Sequence, residues 1–325
     1  MMEATPMDSL KNPALIAVKD CMGVKEDEKV LVIADEPSRK IGYALFEAAK
    51  GLNAETVFLE ITPRMSNGEE PPGTVAELMK LQDVILIPTS MSMSHTEARR
   101  EASAAGARIA TLPGITEDIM TRTLKADYFA IAKRSAAAAE LLTLGSTVRI
   151  TTPKGTDFIM SIEGRTGLRD TGLNHNAGSF SNLPAGEGFI APVEGASNGV
   201  IRIDGSMAGV GLLDGEEITV VVEDGYATEI TGGAGAQRLL SIMEPHGRLA
   251  FNVAELGIGT NDQAELTGNV LEDEKIMGTV HIAFGDNKTM GGTVRVASHL
   301  DGVILRPTVY IDDRVVIEDG NFLIE

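Results

Sequence analysis

Residues 278–307, GTVHIAFGDNKTMGGTVRVASHLDGVILRP, hold two of the chain's five histidines and an aspartate two positions after one of them. In an extended strand, residues i and i+2 leave the same face, so His299 and Asp301 should project together as a nitrogen and an oxygen donor for a metal ion. His281 lies in a second β-type run, residues 279–284, where Val280, Ile282 and Phe284 take one face and His281 the other. The same split sets Val294, Val296 and Leu300 opposite Arg295, His299 and Asp301. Three potential ligands thus leave the apolar faces of two adjacent strands, and an ion held there needs further carboxylates.

Two glutamates are candidates to supply them. The alternation Leu249, Phe251, Val253, Glu255 puts a carboxylate at the end of a core-facing row. Burying an ionised carboxylate is costly, and the escapes are a cationic partner such as Arg295, protonation, or a metal. Glu187 lies in NLPAGEGFIAP, where Pro184, Gly186, Gly188 and Pro192 shape an irregular loop that can present one carboxylate to a site or simply cap a turn. Taken singly, each residue has a plainer reading, because a strand histidine is more often a satisfied polar group than a ligand and His-x-Asp alone is a weak motif. His175 and His246 read as surface residues, and His95 as a residue near the start of its helix.

The elements that must position these residues fall into two kinds. Residues 1–125 alternate helix and strand: a helix over 8–23, the apolar strand KVLVIA at 29–34, a helix over 38–52, a strand at 55–61, a helix near 75–81, the strand DVILIP at 83–88, a helix over 95–105 and a strand at 108–112. Repeated βα units with continuous Val/Ile strands imply a doubly wound parallel sheet covered on both faces. No GxGxxG follows the first strand, where ADEPSRKIG stands, and GGAGA at 232–236 reads as a turn into a helix. Residues 126–145, ADYFAIAKRSAAAAELLTLG, form an alanine-rich linking helix. From 146 to 325 short alternating strands punctuated by Gly, Asn and Asp predict a mostly antiparallel β-rich domain, helical only near 234–243, and it holds every candidate ligand. The closing TVYIDDRVVIEDGNFLI reads as hairpins with DD and DG turns.

Composition narrows the classes. With 325 residues and 43% hydrophobic content the chain can bury a sizeable core, and its net charge of -19 offers no basic stripe for nucleic acid or anionic membrane. The single Cys21 excludes an internal disulfide framework, and no run is long and apolar enough to span a bilayer, so a cytoplasmic protein is expected.

NLPAGEGFIAP, NVAELGIGTN, GTVHIAFG and SHLDG, in this order and spacing, resemble the aminopeptidase T and aminopeptidase S family of metallopeptidases. The resemblance implies an α/β domain followed by a β-rich domain, a homodimer, and a metallo-aminopeptidase acting on peptide substrates. It also implies that Glu187, Glu255, His281, His299 and Asp301 hold two divalent ions (Zn, Co or Mn), roughly 3.5–4 Å apart as in two-metal hydrolases. Glu187 or Glu255 would then move the proton. The family's tyrosine after the first histidine is missing from HIAFGDNKTMGG, which has Lys288 in its neighbourhood. A related branch, the 2,5-dihydroxypyridine dioxygenases, keeps His-x-Asp but places a histidine where Glu255 stands and an apolar residue where His281 stands, for a single iron in a two-His-one-carboxylate triad. A ring-cleaving dioxygenase of that type, or an idle metal-binding relative, is the alternative expectation.

Overall fold

The computed structural model of the chain describes residues 6–324. By internal contacts the chain divides into two units, one running through Ala130 and taking Thr171–Ala185 as well, the other made of Ile131–Asp170 and everything from Gly186 onward.

In the first unit the apolar runs become the strands Lys29–Asp35 and Val84–Ile87, buried at every residue except Lys29. They lie at the centre of a parallel five-stranded sheet in the order Glu55–Ile61, Lys29–Asp35, Val84–Ile87, Arg108–Thr111, Phe180–Asn182. Parallel neighbours need crossovers, which the helices Arg39–Lys50, Gly73–Met79 and Glu97–Ala104 supply. The fifth strand explains why Thr171–Ala185 belongs here and not with the β-rich half: three residues pair with Arg108–Thr111, too few to register as a strand in the sequence. The first helix is Pro6–Leu15, and it continues as a π-helical stretch, Ile16–Cys21.

The second unit is built on two antiparallel sheets. One has eight strands, ending in the hairpins Thr308–Ile311, Arg314–Glu318 and Asn321–Phe322, whose turns put Asp312 and Asp319 at φ 50° and 47°. The other has seven, in the order Gly211–Leu212, Ser206–Met207, His299–Ile304, Val280–Gly285, Val253–Gly259, Glu187–Ile190, Leu168–Asp170. Ile190, Leu256, Ile258, Val280, Ile282, Phe284 and Ile304 of this sheet join Phe158, Ile201, Val220 and Val309 of the other in one apolar core. Ala138 and Leu142, from the helix Tyr128–Leu144, belong to the same core. With side chains alternating across a strand, the residues between them leave the opposite face of the seven-stranded sheet. Beyond the helix Tyr128–Leu144, the α-helices described in this half are Gly233–Met243 and the short Val270–Asp273.

The chain is therefore a mixed α/β protein with a doubly wound parallel sheet and antiparallel sheets. Three local expectations are corrected. Glu187 opens a strand, Glu187–Ile190, and not a loop, because pairing on both sides overrides its Pro and Gly neighbours. Val294 and Val296 lie outside any strand, which begins only at His299. The row from Leu249 is broken twice: Arg248–Phe251 is a 3-10 turn, and the register slips between Val253 and Glu255. That bulge adds one residue, so Glu255 faces away from the core that Val253 joins. Among the described residues no helix is long and apolar enough to cross a membrane.

Candidate metal centre

The strand Val253–Gly259 pairs with Glu187–Ile190 on one side and Val280–Gly285 on the other, and His299–Ile304 lies beyond. Register places Gly259 opposite Glu187, Gly257 between Phe189 and His281, Ala283 between Glu255 and Asp301, and Gly285 opposite His299. Each functional side chain therefore has a glycine or alanine beside it, which leaves room above the sheet. At Gly257 the room is filled by the His281 ring, since a Cβ there would stand 2.0 Å from Cε1 and 2.1 Å from Nε2.

The five residues singled out in the sequence converge. His281 Nε2 lies 3.3 Å from Glu187 Oε2 and 3.4 Å from Glu255 Oε1, while His299 Nε2 lies 3.2 Å from Glu255 Oε2 and 3.4 Å from Asp301 Oδ1. Glu255 thus presents one oxygen to each imidazole, and its partners are histidines, not Arg295. His299 Nδ1 is 2.8 Å from the Asp286 carbonyl oxygen. A carbonyl only accepts, so Nδ1 carries the hydrogen and Nε2 is left as the ligating nitrogen.

Three further groups escaped the sequence reading. Lys275, 2% exposed, places its Nζ 2.5 Å from Glu187 Oε1, 2.7 Å from Glu274 Oε1 and 3.8 Å from Asp170 Oδ2. In LEDEKIMG the charges of Glu274 and Lys275 look like a solvated run. Lys275 is buried and Glu274 mostly covered because the chain crosses the sheet at Gly259, where any side chain would strike the Ile276 carbonyl at 2.1 Å. That glycine, opposite Glu187, was the one available signal.

Charges at this depth are strongly coupled to one another. Burial would raise Glu255, yet its hydrogen bonds with His281 and His299 hold it well below the usual carboxylate range. Burial would lower His281, but the hydrogen bond to Glu255 and the charge of Glu187 prevail and raise it to about 9. His299 is likewise held up against burial, by Asp301 and Glu255. Burial, reinforced by Asp301 and Glu187, lifts Glu274 to about 8 despite Lys275. Lys275 keeps its charge against burial because Glu187, Glu274 and Asp170 surround it.

Three sets of donors have all their ligand atoms within 4.8 Å of one another: Glu187, Glu255 and His281; Glu255, His299 and Asp301; Glu274, His281 and Asp301. Each combines one imidazole with two carboxylates, and among the described residues no two-His-one-carboxylate set is found. Such mixed nitrogen and oxygen donors suit a divalent transition metal. The buried Glu187 Oε2, which makes no hydrogen bond and only the 3.3 Å contact with His281 Nε2, is a further sign that the cluster fits a cation.

A family model described as NicX, 2,5-dihydroxypyridine 5,6-dioxygenase, matches residues 16–324. The chain belongs to this family. It is 24% identical over 268 residues to the 2,5-dihydroxypyridine 5,6-dioxygenase of Pseudomonas putida, covering 77% of this chain and 74% of that protein. The solved structure of the 2,5-dihydroxypyridine dioxygenase of Pseudomonas putida superposes with a TM-score of 0.83 at 20% identity, over 98% of both chains. Wild-type AmpT of Thermus thermophilus superposes at 0.71 and 18% identity, over 97% of this chain and 99% of that one. The likeness to the peptidases therefore holds for the fold. The metallo-aminopeptidase reading, hydrolase and protease alike, is overturned by the family match, which names an oxidoreductase. Carboxylates and imidazoles serve either chemistry, so the motifs whose resemblance implies a peptidase do not discriminate between the two branches.

Proposed function

We propose that the protein is a metal-dependent dioxygenase that opens the ring of a dihydroxylated pyridine, with one ferrous ion held by Glu255, His299 and Asp301. The observation that carries this is the convergence of these three donors within a chain matched by the dioxygenase family over residues 16–324. His299 is the most exposed of these donors: its side chain is 33% exposed, against 14% for Glu274, 13% for Asp301 and 1% for His281. A planar substrate and dioxygen both need that access.

Iron(II) bound there would supply the electron transfer that lets dioxygen, a triplet in its ground state, react with a closed-shell ring. The protein's own residues do the positioning and move the protons. The Asp286 carbonyl fixes the His299 ring, and Glu255, held by both imidazoles, keeps its carboxylate between them. Of the two glutamates expected to move protons, Glu255 is the better placed. It lies between the more exposed His299 and the enclosed His281, whose Nε2, 3.4 Å away and already protonated, would donate to it and not accept from it. Glu187, tied through one oxygen to Lys275, would hold His281 in line.

Protein stripped of metal and reloaded with iron(II) under nitrogen is expected to take up oxygen in proportion to added 2,5-dihydroxypyridine, with loss of the ring's ultraviolet absorbance. His299→Ala should lose bound iron and activity together. Iron-loaded wild-type protein that consumes no oxygen with any dihydroxypyridine would overturn the proposal.

A further inference from the structure

The donor cluster is wider than one ion requires. Glu255 turns its two oxygens toward different imidazoles, so the cluster offers two cation positions that share this residue, one toward His299 and Asp301 and the other toward His281 and Glu187, while Glu274 forms a further set with His281 and Asp301. At the second position a cation is already built into the chain. Lys275 Nζ lies 2.5 Å from Glu187 Oε1 and 2.7 Å from Glu274 Oε1, the carboxylates on which a second ion would draw. The lysine is also anchored through its backbone. Its N–H donates to the Glu272 carbonyl, its own carbonyl accepts from Asn261 N–H at 2.8 Å, and the chain beside it passes over Gly259, where a side chain would block the path. A flexible surface lysine could swing aside for a metal, but this one has no solvent to swing into.

We propose that the Lys275 ammonium takes the place of a second metal ion, and thereby limits this centre to one ion per chain. The inference rests on the reading that the cluster holds an ion at all. Lys275 is a positioning residue: by occupying Glu187 Oε1 and Glu274 it withdraws both from metal binding and leaves Glu187 Oε2 facing His281. Removing one member of a buried ion pair leaves its carboxylates uncompensated, and a divalent cation is the available replacement.

The test uses full-length protein and manganese(II) as the probe, with metal per chain read by elemental analysis and the spin state by electron paramagnetic resonance. Wild type and Lys275→Arg are expected to bind one ion with the hyperfine-split spectrum of isolated manganese. Lys275→Met, purified in manganese throughout so that the ion can replace the lost charge, should bind two and show the broadened spectrum of a coupled pair. Two ions in wild type would overturn the inference alone, as would a single ion in Lys275→Met. So would failure of Lys275→Met to fold even in manganese, since a second ion should restore it. No ion in wild type would remove the underlying reading and the inference with it.

Discussion

Gly257→Ala tests the geometry without touching a ligand. The new methyl carbon would stand 2.0 Å from His281 Cε1 and 2.1 Å from Nε2. Carbon contacts are comfortable near 3.5–4.0 Å, so something must move by about 1.5 Å. The strand carrying residue 257 is paired on both sides, to Phe189 and to His281 itself, and cannot retreat. The ring therefore gives way, and contacts of 3.3 Å to Glu187 and 3.4 Å to Glu255 do not survive a displacement of that size. Overpacking and the loss of a charge-assisted hydrogen bond together cost about 3–5 kcal/mol. The expected outcome is a lowered unfolding midpoint in denaturant. The same substitution made in a His281→Ala background should cost less than about 1 kcal/mol, because no ring remains to be struck, which makes the coupling between the two sites about 2 kcal/mol or more. Equal costs in the two backgrounds would refute the reasoning.

Two further predictions concern the groups around the centre. His281 is raised to about 9 from an ordinary value near 6.5, so its contribution to the stability of chelated protein is fully present below about 6.5 and is lost as pH rises through about 9. Melting of chelator-treated protein should fall across that interval, and a flat profile in wild type would contradict the burial of His281 between two carboxylates. Glu194 accepts from Thr293 N–H at 2.6 Å, from Asn287 Nδ2 at 3.0 Å and from the Arg165 guanidinium, pinning the loop that carries the Asp286 carbonyl to His299. Glu194→Gln should cost about 1.5–3 kcal/mol and weaken ion binding although no ligand is altered. Unchanged affinity by calorimetry would show that the His299 ring is held by other means.

How much of this could be seen in the sequence follows from how local each cause is. His299 and Asp301 were legible because a two-residue spacing in a strand fixes their common face. Glu255 was conspicuous as a carboxylate among apolar residues, but its face was misread: the bulge at Val253 to Glu255 depends on the partner strand, which local alternation does not reveal. Glu187 reads as a loop residue because prolines and glycines surround it, and only pairing on both sides makes it a strand residue. Glu274 and Lys275 were invisible, since nothing in a charged run says that it will be drawn across a sheet at a glycine. The parallel sheet was readable from its Val/Ile runs, except for Phe180–Asn182, which has no pattern of its own. The reaction type was not legible from donors that bind divalent ions for many purposes.

The exposure of the donors assigns different duties to the two sides of the cluster. Solvent reaches His299 and Asp301, while Glu187, Glu255, His281 and Lys275 are each less than 10% exposed. Charges on the closed side act through a medium of low dielectric, where each carboxylate is felt by its neighbours at several times its strength in water. Charges on the open side are screened until a ligand displaces the solvent. An aromatic ring arriving at His299 would do so, and its arrival would strengthen the interactions of Asp301 and Glu255 with whatever cation they hold. Substitutions on the closed side should therefore change how firmly the ion is kept, with or without substrate. Those on the open rim should change how much the substrate tightens it.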